Sequence, residues 1–481
     1  MNKDFKYLPK NERKKILLIC DDIRVHSGIA TVAKEIVTHT AQHFNWAQIA
    51  GAIKHPDKGK IFDLSNEINK HTGLEDSDVK LYPIDGYGDN SVVRQLIKIE
   101  KPDAIMLITD PRYFMWLFNM EGEIRKNIPI MYLNIWDDYP APLYNRAFYE
   151  SCDLLMGISK QTVNINNIVL GDKAKNKITR YIPHGLDHKV YRPLESTEEL
   201  DAVEKMKLDL FGKDEVDFIL FFNSRNIRRK QIPDTMWAFK MFLDSLPKEK
   251  ADKCRLLMHT ELVHEAGTDL PVVNELLFSD SYPNAVVFDP KRWSTEELNM
   301  LYNMSDCQIL LTSNEGWGLT LTEAMLAGNP IIANVTGGMQ DQMRFIDEDG
   351  KWFTPSPKIP SNNTGKYKKH GEWAFPVYPT SRSIQGSPVT PYIWDDRCKA
   401  EDAADRIREV YDLGKEKRKE IGAKAREWCL SEEAGFTAEY QGKRFIEAAD
   451  ELFNTWEPRE AFEVIDTDED IKKIQTHKLV Y

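Results

Sequence analysis

No apolar run in the 481 residues approaches the roughly 18 needed to cross a bilayer. The polar start, Met1-Asn-Lys-Asp4, lacks the apolar core of a secretion signal. A cytoplasmic chain with no transmembrane segment is therefore expected. Cysteine is sparse: Cys20, Cys152, Cys254, Cys307, Cys398 and Cys429 are scattered, with no C-x-x-C pair. That excludes a disulfide framework and the usual thiolate metal cages, and predicts buried thiols in a reducing compartment. Positive charge is not in excess. A net charge of −12 argues against a broad nucleic-acid-binding face, while leaving room for a local basic groove. Internal repeats and low-complexity segments are missing too. Several Asp-x-Asp triplets occur, among them Asp76/Asp78, Asp347/Asp349 and Asp466/Asp468, but in polar segments away from strand ends. Among 76 acidic residues such spacings arise by chance, so no metal site is expected.

What is present is ordinary in amount and specific in pattern. A length of 481 residues allows two substantial domains, each with its own core. The most informative stretch runs from Cys307 to Asp341. Gln308-Ile-Leu-Leu-Thr312 reads as a buried parallel strand. Thr320-Leu-Thr-Glu-Ala-Met-Leu-Ala327 is rich in helix formers and stops at Gly328-Asn-Pro330, after which Ile331-Ile-Ala333 opens another strand. Between strand and helix, Gly316 and Gly318 allow backbone N–H groups close to a ligand, and the helix start at Leu319–Thr320 supplies free N–H groups and a positive dipole end. This is an anion site suited to a diphosphate. Glu315 and Glu323 flank it; carboxylates repel phosphates, so sugar hydroxyls are the natural partners to assign them. The plain alternative is a surface loop with two solvated glutamates.

The segment Ser313-Asn-Glu-Gly-Trp-Gly-Leu-Thr-Leu-Thr-Glu323 resembles the E-x7-E signature of family 4 of the retaining glycosyltransferases. The resemblance implies the GT-B fold: two Rossmann-like doubly wound α/β domains facing a cleft, with a C-terminal helix crossing back to the first. It implies that Glu315 faces the donor sugar and Glu323 the ribose of a nucleotide diphosphate sugar, most simply a UDP-sugar, with no other cofactor. The expected domains are 1–183 on the acceptor side, 184–435 binding the nucleotide sugar, and 436–481 as cross-over helix and acidic tail.

The rest of the chain is read against that resemblance. Lys15-Ile-Leu-Leu-Ile-Cys20 is a strand, followed by a loop to Gly28 and a helix with Ile29, Val32, Ala33, Ile36 and Val37 at helical spacing. Gly28 corresponds to the family's first glycine loop, though Ser27-Gly28 stands where many relatives have two glycines. Strands are predicted at Val79–Leu81, Ala104–Ile108, Ile130–Ile135 and Leu154–Gly157, with polar residues at their carboxyl ends, where α/β sheets bind ligands. Relatives often carry a His near the reacting carbon, in or beside the loop after the third of these. Here Trp136-Asp137-Asp138 occupies that place, so the catalytic role falls to Asp137 or Asp138, or the aspartates are structural. Tyr181-Ile-Pro-His-Gly-Leu-Asp187 resembles the interdomain crossing, with His184 a linker residue.

After Phe218-Ile-Leu-Phe-Phe222, the cations Arg225, Arg228, Arg229 and Lys230 cluster on a strand-to-helix turn. The spacing of Arg225 and Lys230 matches the family's diphosphate-binding pair, which absorbs the charge of the leaving group; Arg228 and Arg229 stay unassigned. Relatives hold the base near Phe288. Residues 347–396 are longer than the family's usual segment and rich in aromatics, which predicts packing over disorder. The activity implied is retaining, metal-independent transfer of a hexose or pentose to an acceptor hydroxyl. The acceptor is open between a small molecule, a glycan and a hydroxylated base in DNA. A non-catalytic nucleotide-sugar sensor is the alternative from another class.

Overall fold

The computed structural model describes residues 7–459 except 53, 360, 361, 363, 364 and 389. Asp466/Asp468 and the acidic tail from 460 lie outside the described residues. The first half builds eight strands: β1 (Lys14–Asp21), β2 (Phe44–Ala52), β3 (Phe62–Asp63), β4 (Val79–Asp85), β5 (Ala104–Ile108), β6 (Ile130–Asn134), β7 (Leu154–Gly157) and β8 (Ile178–Tyr181). The second half adds β9 (Phe218–Asn223), β10 (Cys254–His259), β11 (Val286–Phe288), β12 (Cys307–Leu310), β13 (Ile331–Asn334) and β14 (Ala374–Val377), then an antiparallel hairpin of β15 (Ser381–Gln385) and β16 (Ile393–Arg397).

Each half forms one sheet, ordered β3-β4-β2-β1-β5-β6-β7-β8 and β11-β10-β9-β12-β13-β14. All pairings within these sheets are parallel except β3 with β4. Strands covered by helices on both faces need apolar side chains throughout, which explains continuous runs such as Ile16–Cys20 and Phe218–Phe222, all buried. Both sheets begin in the middle, run outward one way, then return and run outward the other way. The reversal falls between β1 and β5 in one and between β9 and β12 in the other, and it leaves a crevice at the carboxyl ends of those strands. Pro376 is tolerated within β14 because that strand is a sheet edge.

Caps set the helix starts that matter. The Ser27 hydroxyl accepts from the Ala30 N–H at 3.0 Å at the head of helix Gly28–Thr40, and itself donates to Asp21 at 2.6 Å. A capping box of Ser294 and Glu297 heads helix Thr295–Met304. Helix Ala438–Thr455 packs on helix Gly28–Thr40, with the Phe445 ring 5.8 Å from both Phe44 and Trp46. The chain thus passes between the halves twice, and the two passages touch: Leu186 N–H donates to Phe436 O at 3.2 Å, and Ala438 N–H to Leu186 O at 3.0 Å. A Cβ on Gly185 would lie 2.1 Å from Thr437 O, so only glycine fits there.

Contacts between the halves are polar as well as apolar. Asp341, 3% exposed, accepts from the Lys160 N–H at 2.9 Å and from the Tyr181 hydroxyl at 3.0 Å. Burial pushes its carboxyl up to about 6, with Lys160 opposing only in part. The folded value lies above the unfolded one, so this group's stabilisation is full below pH 4 and is lost as pH rises through about 6. Relative to Asp341→Asn, the wild type is expected to lose about 3 kcal/mol of unfolding free energy between pH 4 and 7. Denaturant melts of both proteins across that range measure it; parallel profiles would remove Asp341 as the titrating group.

The six cysteines are free thiols, five of them buried. Among the described residues, no helix is long and apolar enough to cross a membrane.

Candidate functional site

The loops that leave β1, β5, β6, β9 and β12 meet in the crevice. From the second half, helix Leu319–Leu326 starts at Gly318, whose φ of +90° suits glycine, and helix Ile232–Asp244 follows the cationic turn. From the first half, Gly28 faces the head of helix Leu319–Leu326: a Cβ on it would lie 3.3 Å from Leu319 Cδ1. Gly28, Leu319 and Thr320 are thereby brought together, with the heads of two helices pointing into one space.

Glu315 is the electrostatic centre. Arg229 donates to its carboxylate at 2.9 Å, and Lys230 donates to the same oxygen. Burial alone would push this carboxyl up, but the two cations outweigh it and hold Glu315 down at about 2. Arg229 also donates to Asn314 O at 2.7 Å, and Ser313 N–H donates to Arg229 O at 2.8 Å, so the turn carrying the cations and the loop carrying the carboxylate are sewn together. Lys230 is 8% exposed. Arg225 points away: its side chain is 71% exposed and stands 3.9 Å from Glu261. Arg228 donates to Gln385 of the hairpin at 3.3 Å. Of the four cations, Arg229 is the one that spacing left unassigned and that tertiary structure joins to Lys230.

Glu323 lies a turn inside the helix and is buried against two tyrosines. The Tyr302 hydroxyl donates to it, and Asn223 in turn donates to that hydroxyl at 3.0 Å. Burial raises its carboxyl, with Tyr302 and Tyr191 opposing. Phe288 ends β11 beside a closed cluster in which Asp289 meets His259 Nδ1 at 3.1 Å and accepts from Trp293 Nε1 at 2.5 Å.

The two aspartates after β6 part company. Asp137 accepts from the Gly316 N–H at 2.9 Å and sits 4.0 Å from Arg229, so the first half touches the second at the glutamate loop itself. Asp138 is 1% exposed; it accepts from Tyr139 N–H, from Gln161 at 2.8 Å and from Thr336 at 3.2 Å. Burial, with Asp396 adding, drives its carboxyl well above the ordinary range. Asp137 faces the crevice, whereas Asp138 is spent on packing.

Beneath Glu315 runs the turn Thr336-Gly-Gly338. Gly337 has a φ of +54°, and a Cβ there would lie 1.8 Å from Glu315 O; Gly338 N–H donates to that oxygen at 3.0 Å. His184 sits in the first passage with its ring 6.1 Å from that of Trp317, and burial drives it down to about 3, leaving it neutral. Among the described residues, no three His, Cys, Asp or Glu side chains are grouped to hold a metal. Asp76 pairs with Arg13 and Asp78 with Lys10 and Lys15, while Asp347 accepts from the N–H groups of Asp349 and Lys351 in a turn.

The family model described as "Glycosyl transferases group 1" matches residues 279–357, the stretch holding Phe288, Glu315 and Glu323. An alpha-monoglucosyldiacylglycerol synthase of Acholeplasma laidlawii is 26% identical over 174 residues, which cover 35% of this chain and 38% of that protein. The chain therefore spans well under half the length of this curated relative. Among solved structures, sucrose-phosphate synthase of Thermosynechococcus elongatus superposes with a TM-score of 0.65 at 15% identity, over 92% of this chain and all of that one. The Anabaena protein HepE, in complex with UDP and glucose, gives 0.62 at 14% identity, again over 92% and 100%. A glycosyltransferase from Rickettsia africae gives 0.62 at 15% identity over the same shares. At these identities the likeness shows the fold, which is GT-B: two Rossmann-like parallel-sheet domains around a cleft.

Proposed function

We propose that this protein is a retaining glycosyltransferase that moves a sugar from a nucleotide diphosphate sugar, with UDP-glucose the first donor to try, to an acceptor hydroxyl. The observation that carries the reading is Glu315 held by Arg229 and Lys230 at the mouth of helix Leu319–Leu326, with Asp137 of the opposite half bonded to the next residue. Supporting it are the matched family over 279–357 and the UDP and glucose complex of a protein with the same fold.

In this reading the domains divide near residue 183, and the second half binds the donor. The diphosphate lies on the N–H groups at Leu319–Thr320, with Lys230 and Arg225 or Arg229 as its cations. Glu323 takes the ribose hydroxyls, backbone near Phe288 the base, and Glu315 the transferred sugar. The bond from the anomeric carbon to the diphosphate breaks, its electron pair leaving with the phosphate oxygen. The cations and helix terminus stabilise that charge. The acceptor oxygen forms its bond on the face the diphosphate vacates, which retains configuration, and its proton passes to the departing phosphate oxygen. Asp137 borders the sugar from the first half. The acceptor stays open among a small molecule, a glycan and a hydroxylated base.

Lys230, Arg229 and the helix start already supply the positive charge a metal would bring. Turnover of UDP-glucose, read as UDP release with water as acceptor, is expected to persist at full rate after exhaustive chelation. Loss of activity restored only by Mg²⁺ or Mn²⁺ would mean a cation is needed. A protein that binds UDP-glucose without releasing UDP would instead be a sensor.

A further inference from the structure

The hairpin after β14 belongs by sequence to the second half, yet its return strand reaches both halves at three consecutive residues. Trp394 N–H donates to Tyr139 O at 2.7 Å, two residues beyond Asp137 in the first half. Asp395, 5% exposed, accepts through Oδ1 from the Ser313 hydroxyl at 2.9 Å and from the Asn314 amide at 3.0 Å, the two residues before Glu315. Asp396 N–H donates to Ser313 O at 2.9 Å; its carboxylate accepts from Thr336 at 3.1 Å and from Arg382. A carboxylate buried against neutral side-chain donors is costly unless its bonds are well made, and these are aimed at the glutamate loop.

We propose that Asp395 is a positioning residue of the reaction: by holding Ser313 and Asn314 it fixes where Glu315 and Arg229 stand relative to the transferred sugar. The hairpin is then part of the active site, and Trp394, through Tyr139, keeps the Asp137 loop in register with it. Asn314 is the link, since its side chain is held by Asp395 while its carbonyl accepts from Arg229. Asp395 is also among the carboxylates that reinforce the Arg229 charge, after Glu315 and Asp137.

This rests on the proposed transfer from a nucleotide sugar, and the test separates the two. UDP release from UDP-glucose and UDP binding by calorimetry are measured for wild type, Asp395→Ala and Asp395→Asn, with rates corrected for the folded fraction. Asp395→Ala is expected to lower kcat on the order of 10²-fold, the cost of a roughly 1 Å misplacement, with UDP affinity unchanged within about threefold. Asp395→Asn keeps an acceptor oxygen for Ser313 and Asn314 and is expected to recover kcat to within about threefold of wild type. If Asp395→Ala, or Asp395→Ser should the alanine variant not fold, keeps its kcat and shows only a lowered melting temperature, the residue is structural and the proposal falls. If Asp395→Asn folds and is as slow as Asp395→Ala, the charge and not the placement matters, which overturns it equally. A wild type inert toward UDP-glucose overturns the transfer reading, and the positioning role with it.

Discussion

Glu315→Gln is expected to lower kcat by roughly 10²–10³-fold while UDP affinity holds or tightens. In the proposed transfer the carboxylate stands where positive charge develops at the anomeric carbon as the diphosphate leaves, so its contribution grows on the way to the transition state. The same change frees Lys230 and Arg229 from a carboxylate that now competes with phosphate for them. Glu323→Gln should behave differently. A ribose contact is equal in ground and transition states, so its loss raises the donor KM and spares kcat. Steady-state kinetics of the two variants on one donor separates the roles. A Glu315→Gln enzyme with normal turnover would take Glu315 out of the reaction.

The second large effect concerns Lys230. Its ammonium is buried on Glu315, within the turn that leads into helix Ile232–Asp244. Losing a charge-assisted contact to phosphate costs about 1.5–3 kcal/mol, so Lys230→Ala should weaken UDP binding by about 10- to 100-fold. Calorimetric titration with UDP reads this directly. Unchanged affinity would take Lys230 out of the diphosphate site and leave the exposed Arg225 as the cation to examine.

The fold was legible where local pattern and tertiary need agree. Apolar runs such as Lys15–Cys20 and Gln308–Thr312, each followed by a glycine loop and a helix, overlap β1 and β12, and Glu315 and Glu323 could be placed on loop and helix from spacing alone. β2 was not, because Phe44–Ala52 interleaves Asn45, Gln48 and Gly51 with its apolar residues and has neither a strict alternation nor a β-branched run. The partition of the four cations was also hidden. Arg228, Arg229 and Lys230 are consecutive, and only the approach of Asn314 and Glu315, more than eighty residues later, decides that Arg229 joins Lys230 while Arg228 turns to the hairpin. Aromatic content pointed to packing in 347–396, and among the described residues Phe353, Tyr367 and Trp373 are buried. It held no sign that this segment supplies an edge strand and a hairpin carrying Asp395, since the pairs that give that residue its place span 81 and 82 positions.

The contact between the two chain passages has a mechanical consequence. Connections far apart would act as two struts and lock one domain against the other. Here Leu186 is bonded to both Phe436 and Ala438, so the two connections meet at one place, and rotation centred there stretches neither. Displacement then grows with distance from that pivot. The glutamate loop stands beside that pivot, with the Trp317 ring 4.9 Å from that of Phe436 and 6.1 Å from that of His184, so a rotation there shifts it little.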